Sequence, residues 1–64
     1  MYRVNQEVYV VCNGWMIKKA IILKYSGGLY TLEFSDELSL TRLKKHRLYK
    51  TEYLAKRAIF KNRY

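Results

Sequence analysis

The sequence has no proline, three glycines, one cysteine, one histidine and only five acidic residues. Each scarcity removes a class of structure or chemistry. Without proline, and with no internal repeat or low-complexity stretch, nothing reads as a linker between separate units. The lone Cys12 cannot close an internal disulfide, and no signal-peptide pattern precedes it, so the expected setting is reducing and cytoplasmic. The longest apolar run, residues 8–12, is far too short to cross a bilayer, so no membrane partner is expected. One cysteine and one histidine cannot supply the usual four-ligand zinc set, and no metal or other cofactor is expected. His46 sits among cations with no carboxylate beside it in sequence to support proton transfer. Asp36 and Glu37 are the only adjacent acids and fall in a turn signal, which is loop chemistry rather than a catalytic pair. Gly27-Gly28 is not followed by Gly-Lys-Ser/Thr, so it is no phosphate-binding loop. These absences together predict a protein that is not an enzyme.

Sixty-four residues allow one domain. A chain of this length buries only about 60% of the surface it exposes when unfolded, which leaves room for a minimal core and little for a deep pocket. Half of the residues are hydrophobic, enough for that one core. The net charge of +8 is unevenly placed. Up to Thr41, Arg3, Lys18, Lys19 and Lys24 balance Glu7, Glu33, Asp36 and Glu37. From Arg42 onward, nine cations face Glu52 alone. A one-sided segment of this kind builds a local field that attracts polyanions.

Along the chain, Glu7–Cys12 is rich in Val and Tyr and reads as a strand, with Asn13-Gly14 as the turn after it. Residues 15–25 are too long for one flat strand, so a bend is expected near Lys18-Lys19. Ser26-Gly27-Gly28 predicts a tight hairpin. In Leu29–Phe34, Tyr30, Leu32 and Phe34 alternate with Thr31 and Glu33. Ser35-Asp36 turns the chain, and residues 37–43 alternate again with Leu38 and Leu40 inward. A helical turn over residues 44–47 and a short strand at Leu48-Tyr49 follow. The expected core is Val8, Val10, Ala20, Ile22, Leu32, Leu38 and Leu40. Thr51 then caps a helix over residues 53–62, with Glu52 in its first turn. Leu54, Ala55, Ala58 and Ile59 form its apolar stripe, expected to dock on Ile21 and Leu23, which alternation turns away from the core.

Five short strands, a tight hairpin and a helical turn before the last strand resemble the SH3-like barrel superfold. Residues 6–49 are most similar to Tudor-type modules. The likeness rests on Val8-Tyr9-Val10, Gly14-Trp15, Ala20 with Ile22, Gly27-Gly28, the run from Tyr30 to Asp36, and Leu48. The same stretch resembles the C-terminal DNA-binding domains of retroviral-type integrases. Those also place a tryptophan before an Ala-x-x-Leu strand and basic residues after the fourth strand, here Arg42, Lys44 and Lys45. In size, charge and terminal helix the chain is similar to small archaeal chromatin proteins. The resemblance implies a mostly β fold: a five-stranded SH3-like, Tudor-like barrel over residues 1–50, closed by a C-terminal helix over residues 51–64, as a single domain. The Tudor likeness puts two positions of a methyl-lysine cage at Phe34 and Asp36. Its other aromatics fall on Cys12, on Ile17 or Lys18, and on Glu37 or Leu38, so the resemblance does not carry methyl-lysine reading.

Ten aromatic residues in 64 exceed what so small a barrel can hide. Opposite the helix's apolar stripe stand Tyr53, Phe60 and Tyr64, flanked by Lys56, Arg57, Lys61 and Arg63. Bases stack on exposed aromatics while cations neutralise phosphates. The expected function is therefore a non-enzymatic module that binds DNA or RNA through backbone contacts with little sequence specificity. Its expected surface is Arg42, Lys44, Lys45, Arg47, Lys50, Tyr53, Lys56, Arg57, Phe60, Lys61 and Arg63. The alternative is a protein-interaction module, such as a phage, plasmid or host accessory factor, that docks an acidic partner or associates with itself. The expected state is a monomer or weak dimer.

Overall fold

The computed structural model describes residues 2–37 and 39–61. Period-two alternation and glycine turns organise it into five strands: β1 (Glu7–Cys12), β2 (Met16–Ser26), β3 (Leu29–Phe34), β4 (Leu40–Leu43) and β5 (Leu48–Tyr49). A 3-10 turn at Lys45–Arg47 precedes β5, and one helix, α1 (Glu52–Lys61), follows it. The strands form a single antiparallel sheet in the order β4-β3-β2-β1-β5. Among the described residues its edge strands β4 and β5 do not pair, so the sheet is not closed into a barrel.

The long β2 makes this order possible. Its first half pairs with β1 and its second half with β3, and Ala20 and Ile21 take part in both ladders. The Lys18-Lys19 stretch, where a bend is expected, stays in regular register with β1 and carries no bulge. The irregularity lies at Leu23 instead, where the β2–β3 register shifts between Ile22 and Lys24. That position is where β2 passes beyond the end of β1. Relieved of one neighbour, the strand accommodates an extra residue at little loss of pairing. The hairpin after it turns on Gly27 and Gly28, at φ +61° and +81°, the mirror-image geometry that matches strand twist. At the other end of β2, Asn13 and Gly14 also take positive φ, and the Trp15 N–H donates to the Cys12 carbonyl at 3.2 Å.

Val8, Val10, Ala20, Ile22, Tyr30, Leu32, Phe34 and Leu48 form the core, with Tyr2, Cys12 and Leu43 packed against it. Five of the seven residues expected in the core are buried there. Leu38 lies outside the described residues. Leu40 is a correction: it is 61% exposed. It stands opposite Glu33, whereas Thr41 stands opposite the buried Leu32 and Leu43 opposite Tyr30. Residues directly across an antiparallel ladder share a face, so Leu40 takes the outer face with Glu33. The turn from β3 shifts the pairing parity by one, and a one-residue slip inverts every side chain.

The helix begins as its cap directs. The Leu54 N–H donates to the Thr51 hydroxyl at 3.2 Å, and Glu52 opens the first turn. α1 packs on β1, β2 and β5. Only two residues, Lys50 and Thr51, separate β5 from α1, so the helix settles on the adjoining outer face, which carries Tyr9, Val11, Ile17 and Tyr49. It does not use Leu23, which stays exposed. The stripe faces the sheet in its expected phase, with Leu54 at its edge. Ala55 is fully buried and Ala58 and Ile59 half-buried, while Leu54 is 39% exposed.

Candidate functional site

Charge pairing divides the molecule. In the first half, the Lys18 ammonium sits 3.2 Å from Glu37 and 3.8 Å from Asp36, and Lys19 sits 3.9 Å from Glu7. The Glu37 carboxylate also accepts from the Ser39 hydroxyl at 2.9 Å. That hydrogen bond first, and Lys18 second, hold Glu37 below the ordinary carboxylate range. Lys18 is correspondingly held above the usual lysine value, chiefly by its hydrogen bond to Glu37. Its ammonium also lies 5.3 Å from the centre of the Phe34 ring. Lys18 and Lys19 thus pair with three of this half's four carboxylates, while Arg3, Lys24 and Glu33 have no ion-pair partner within 4.0 Å among the described residues.

The second half is different. Among the described residues its one ion pair is Lys56 with Glu52, one helical turn apart at 3.7 Å. Among the described residues no carboxylate lies within 4.0 Å of Arg42, Lys44, Lys45, Arg47, Lys50, Arg57 or Lys61.

Helix geometry sorts the outward side chains into two rows, because residues four apart sit one above the other. One row is Tyr53, Arg57 and Lys61, with the Arg57 guanidinium 6.0 Å from the centre of the Tyr53 ring. The other is Glu52, Lys56 and Phe60. Three open clefts surround the helix. The first, about 410 Å³, lies between the β1–β2 turn, the 3-10 turn and α1, with His46, Arg47 and Ile59 on its walls. Arg47 is held there by donating to the Val11 carbonyl at 3.3 Å. The second runs past Tyr49, Arg57 and Lys61. The third, about 560 Å³, lies between the β1–β2 turn and the helix and is lined by Trp15, Ile17, Lys56, Ile59 and Phe60.

The structure therefore gathers Arg47, Lys56, Arg57, Phe60 and Lys61 around α1, with Tyr53 exposed on its first turn. It does not bring the rest of the expected surface into those clefts. Lys45 borders a separate cleft formed by Tyr2, Tyr25 and Tyr30. There Tyr2 meets Tyr30 edge-on at 5.7 Å, and its hydroxyl donates to the Leu48 carbonyl at 3.1 Å. Burial is the main reason the Tyr2 phenol is pushed above its ordinary value. Arg42 lies on the outer face of β4 opposite Thr31, and Lys44 and Lys50 are exposed in connections. Arg63 and Tyr64 lie outside the described residues.

Sequence reasoning used Trp15 only as a fold marker and did not place it in the site. Its signal was available, since a large aromatic right after Asn-Gly stands at a hairpin tip, where little can cover it. Among the described residues no three His, Cys, Asp or Glu side chains are grouped to hold a metal ion. No described helix is long and apolar enough to cross a membrane. Compared with known proteins, the sequence matches no family model and no curated protein.

Proposed function

We propose that this protein is a non-enzymatic module that binds nucleic acid through the cations and exposed aromatics around α1 and the segment leading to it. One observation carries the reading: seven cations from Arg42 to Lys61 have no carboxylate within ion-pair distance among the described residues, while the first half carries as many acids as cations and ties Lys18 and Lys19 to three of those acids. Unpaired cations keep their full field in solution, and a polyanion that displaces their counterions gains affinity from that release. The exposed rings of Trp15, Tyr53 and Phe60 among them supply faces for bases. The strand order, with β2 shared between two ladders and a 3-10 turn before β5, supports an SH3-like barrel as the scaffold. Tyr53 beside Arg57, with the exposed Trp15 and Phe60, also supports the second reading, a contact with an acidic protein, because Tyr, Trp, Phe and Arg are enriched at protein interfaces.

The deciding measurement is binding to generic single- and double-stranded DNA and RNA at two salt concentrations. Binding that weakens steeply with salt is the expected result. No binding to any of the four polymers at low salt would end the nucleic-acid reading.

A further inference from the structure

The third cleft, between the β1–β2 turn and α1, differs from the others in what lines it. Trp15 and Phe60 are 63% and 66% exposed, yet they border one space whose remaining walls are the half-buried Ile17 and Ile59 and the stem of Lys56. Among the described residues the ring-to-ring contacts are Tyr2 with Tyr30 and Tyr25 with Tyr30, so no other ring covers the face of either Trp15 or Phe60. We propose that this cleft is a stacking site for one unpaired base of a single-stranded nucleic acid, with Trp15 and Phe60 as its aromatic walls and Lys56 beside it for a phosphate. The inference rests on the nucleic-acid reading and names which form of nucleic acid the site takes.

Three arguments select this occupant. The first concerns the aromatic faces. A base within a duplex has both faces covered by its neighbours, so only an unstacked base can lie against Trp15 or Phe60. The second is charge. Lys56 is tied only to the exposed Glu52 at 3.7 Å, a solvent-screened contact that a phosphate can replace. The neighbouring helix row presents Arg57 and Lys61 with no carboxylate partner among the described residues, so a sugar-phosphate chain leaving the cleft meets cations. A second copy of this chain would bring its own charge of +8 to the same surface, which disfavours self-docking. The third is the poverty of hydrogen-bonding groups: among the described residues the side chains on the cleft wall offer the Lys56 ammonium and the Trp15 indole N–H, both donors, and no acceptor. Two donors do not distinguish the four base edges, so the site accepts every base with little preference.

Trp15 is the only tryptophan in the chain, so its fluorescence reports on the cleft directly. Titration with oligothymidylate should quench it saturably, and a duplex of the same length should quench it far less. Phe60→Ala should weaken oligothymidylate binding roughly 5- to 150-fold with the salt slope unchanged, and Phe60→Tyr should retain most of the affinity. Circular dichroism melts check that each variant folds; if Phe60→Ala does not, the quenching of the parent protein and the Phe60→Tyr titration still decide. Four results would overturn the inference. Oligothymidylate binding, followed by anisotropy of a labelled strand, with Trp15 emission unchanged and Phe60→Ala like the parent would remove the stacking site and leave the basic surface standing. Duplex quenching equal to single-strand quenching would remove the single-strand assignment. If Phe60→Ala binds nucleic acid normally but loses a self-association seen in the parent by sedimentation, the cleft is a protein contact. Absence of binding to any nucleic acid would remove the parent reading along with this one.

Discussion

Leu32 and Leu40 are the same side chain on neighbouring strands, and the ladder puts them on opposite sides of the sheet. Leu32 is fully enclosed by the core, while Leu40 is largely in water beside Glu33. Leu32→Ala should therefore cost about 2–5 kcal/mol, enough to unfold much of so small a domain, because the enclosed space cannot collapse fully. Leu40→Ala should stay within about 0.5 kcal/mol. Urea denaturation of both variants measures the contrast, and equal losses would mean that β4 pairs in the other parity. A second residue-scale expectation concerns Glu37. Its carboxyl is held below the usual range by Ser39 and Lys18, so its contribution is present above the ordinary carboxylate pKa and disappears as pH falls through the lowered folded value. Glu37→Gln should thus lower the melting temperature slightly near neutrality and make no difference in strong acid. A gap between parent and variant that persists in acid would refute the assignment. The pair is exposed, so the effect is small.

At the scale of elements, the sequence carried the strands whose patterning is self-contained. β1 and β3 show in their own residues, and so do the Gly27-Gly28 hairpin and the Thr51 cap. What it did not carry were relations between elements. The parity of β4 depends on the turn that follows β3. That turn is locked by the Phe34 N–H donating to the Ser39 carbonyl at 3.1 Å and the Ser35 N–H to the Lys19 carbonyl at 3.0 Å, and neither bond is written in the alternation of residues 37–43. Where the helix docks was missed for a similar reason. The stripe of Leu54, Ala55, Ala58 and Ile59 is broad, and only the short link from β5 decides that Ala55 faces the sheet while Leu54 reaches water. The packing carries a test. Ala55→Leu forces an isobutyl group into closed space and should cost about 1–3 kcal/mol. Leu54→Ala should stay near the surface range of about 0.5 kcal/mol. Thermal melts that rank the two the other way round would centre the buried face of the helix on Leu54 rather than on Ala55.

For the whole molecule, the asymmetry of charge was legible in full, but its arrangement in space was not. Counting along the chain groups Arg42, Lys44, Lys45, Arg57 and Lys61 as one basic segment. The fold disperses them: Arg42 goes to the outer face of β4, Lys45 to the tyrosine cleft, and Arg57 and Lys61 to the helix beside the Trp15 cleft. If nucleic acid follows the helix, these cations cannot contribute equally. Each phosphate contact that is lost releases fewer counterions, and for a single strand the slope of log affinity against log salt falls by about 0.7 per contact. Arg57→Gln combined with Lys61→Gln should therefore flatten the slope by roughly 1.4 for oligothymidylate. Arg42→Gln should leave both slope and affinity nearly unchanged, although it removes the same kind of charge from the same stretch of sequence. Lys44→Glu with Lys45→Glu should fall between, weakening binding to every sequence alike through the general field rather than through direct contacts. Affinities at several salt concentrations for the four proteins make the comparison. If Arg42→Gln flattens the slope as much as the helix pair does, the path along the helix is wrong. The polyanion would then cross the outer face of the sheet, where Arg42 stands on β4 beside the exposed Leu40.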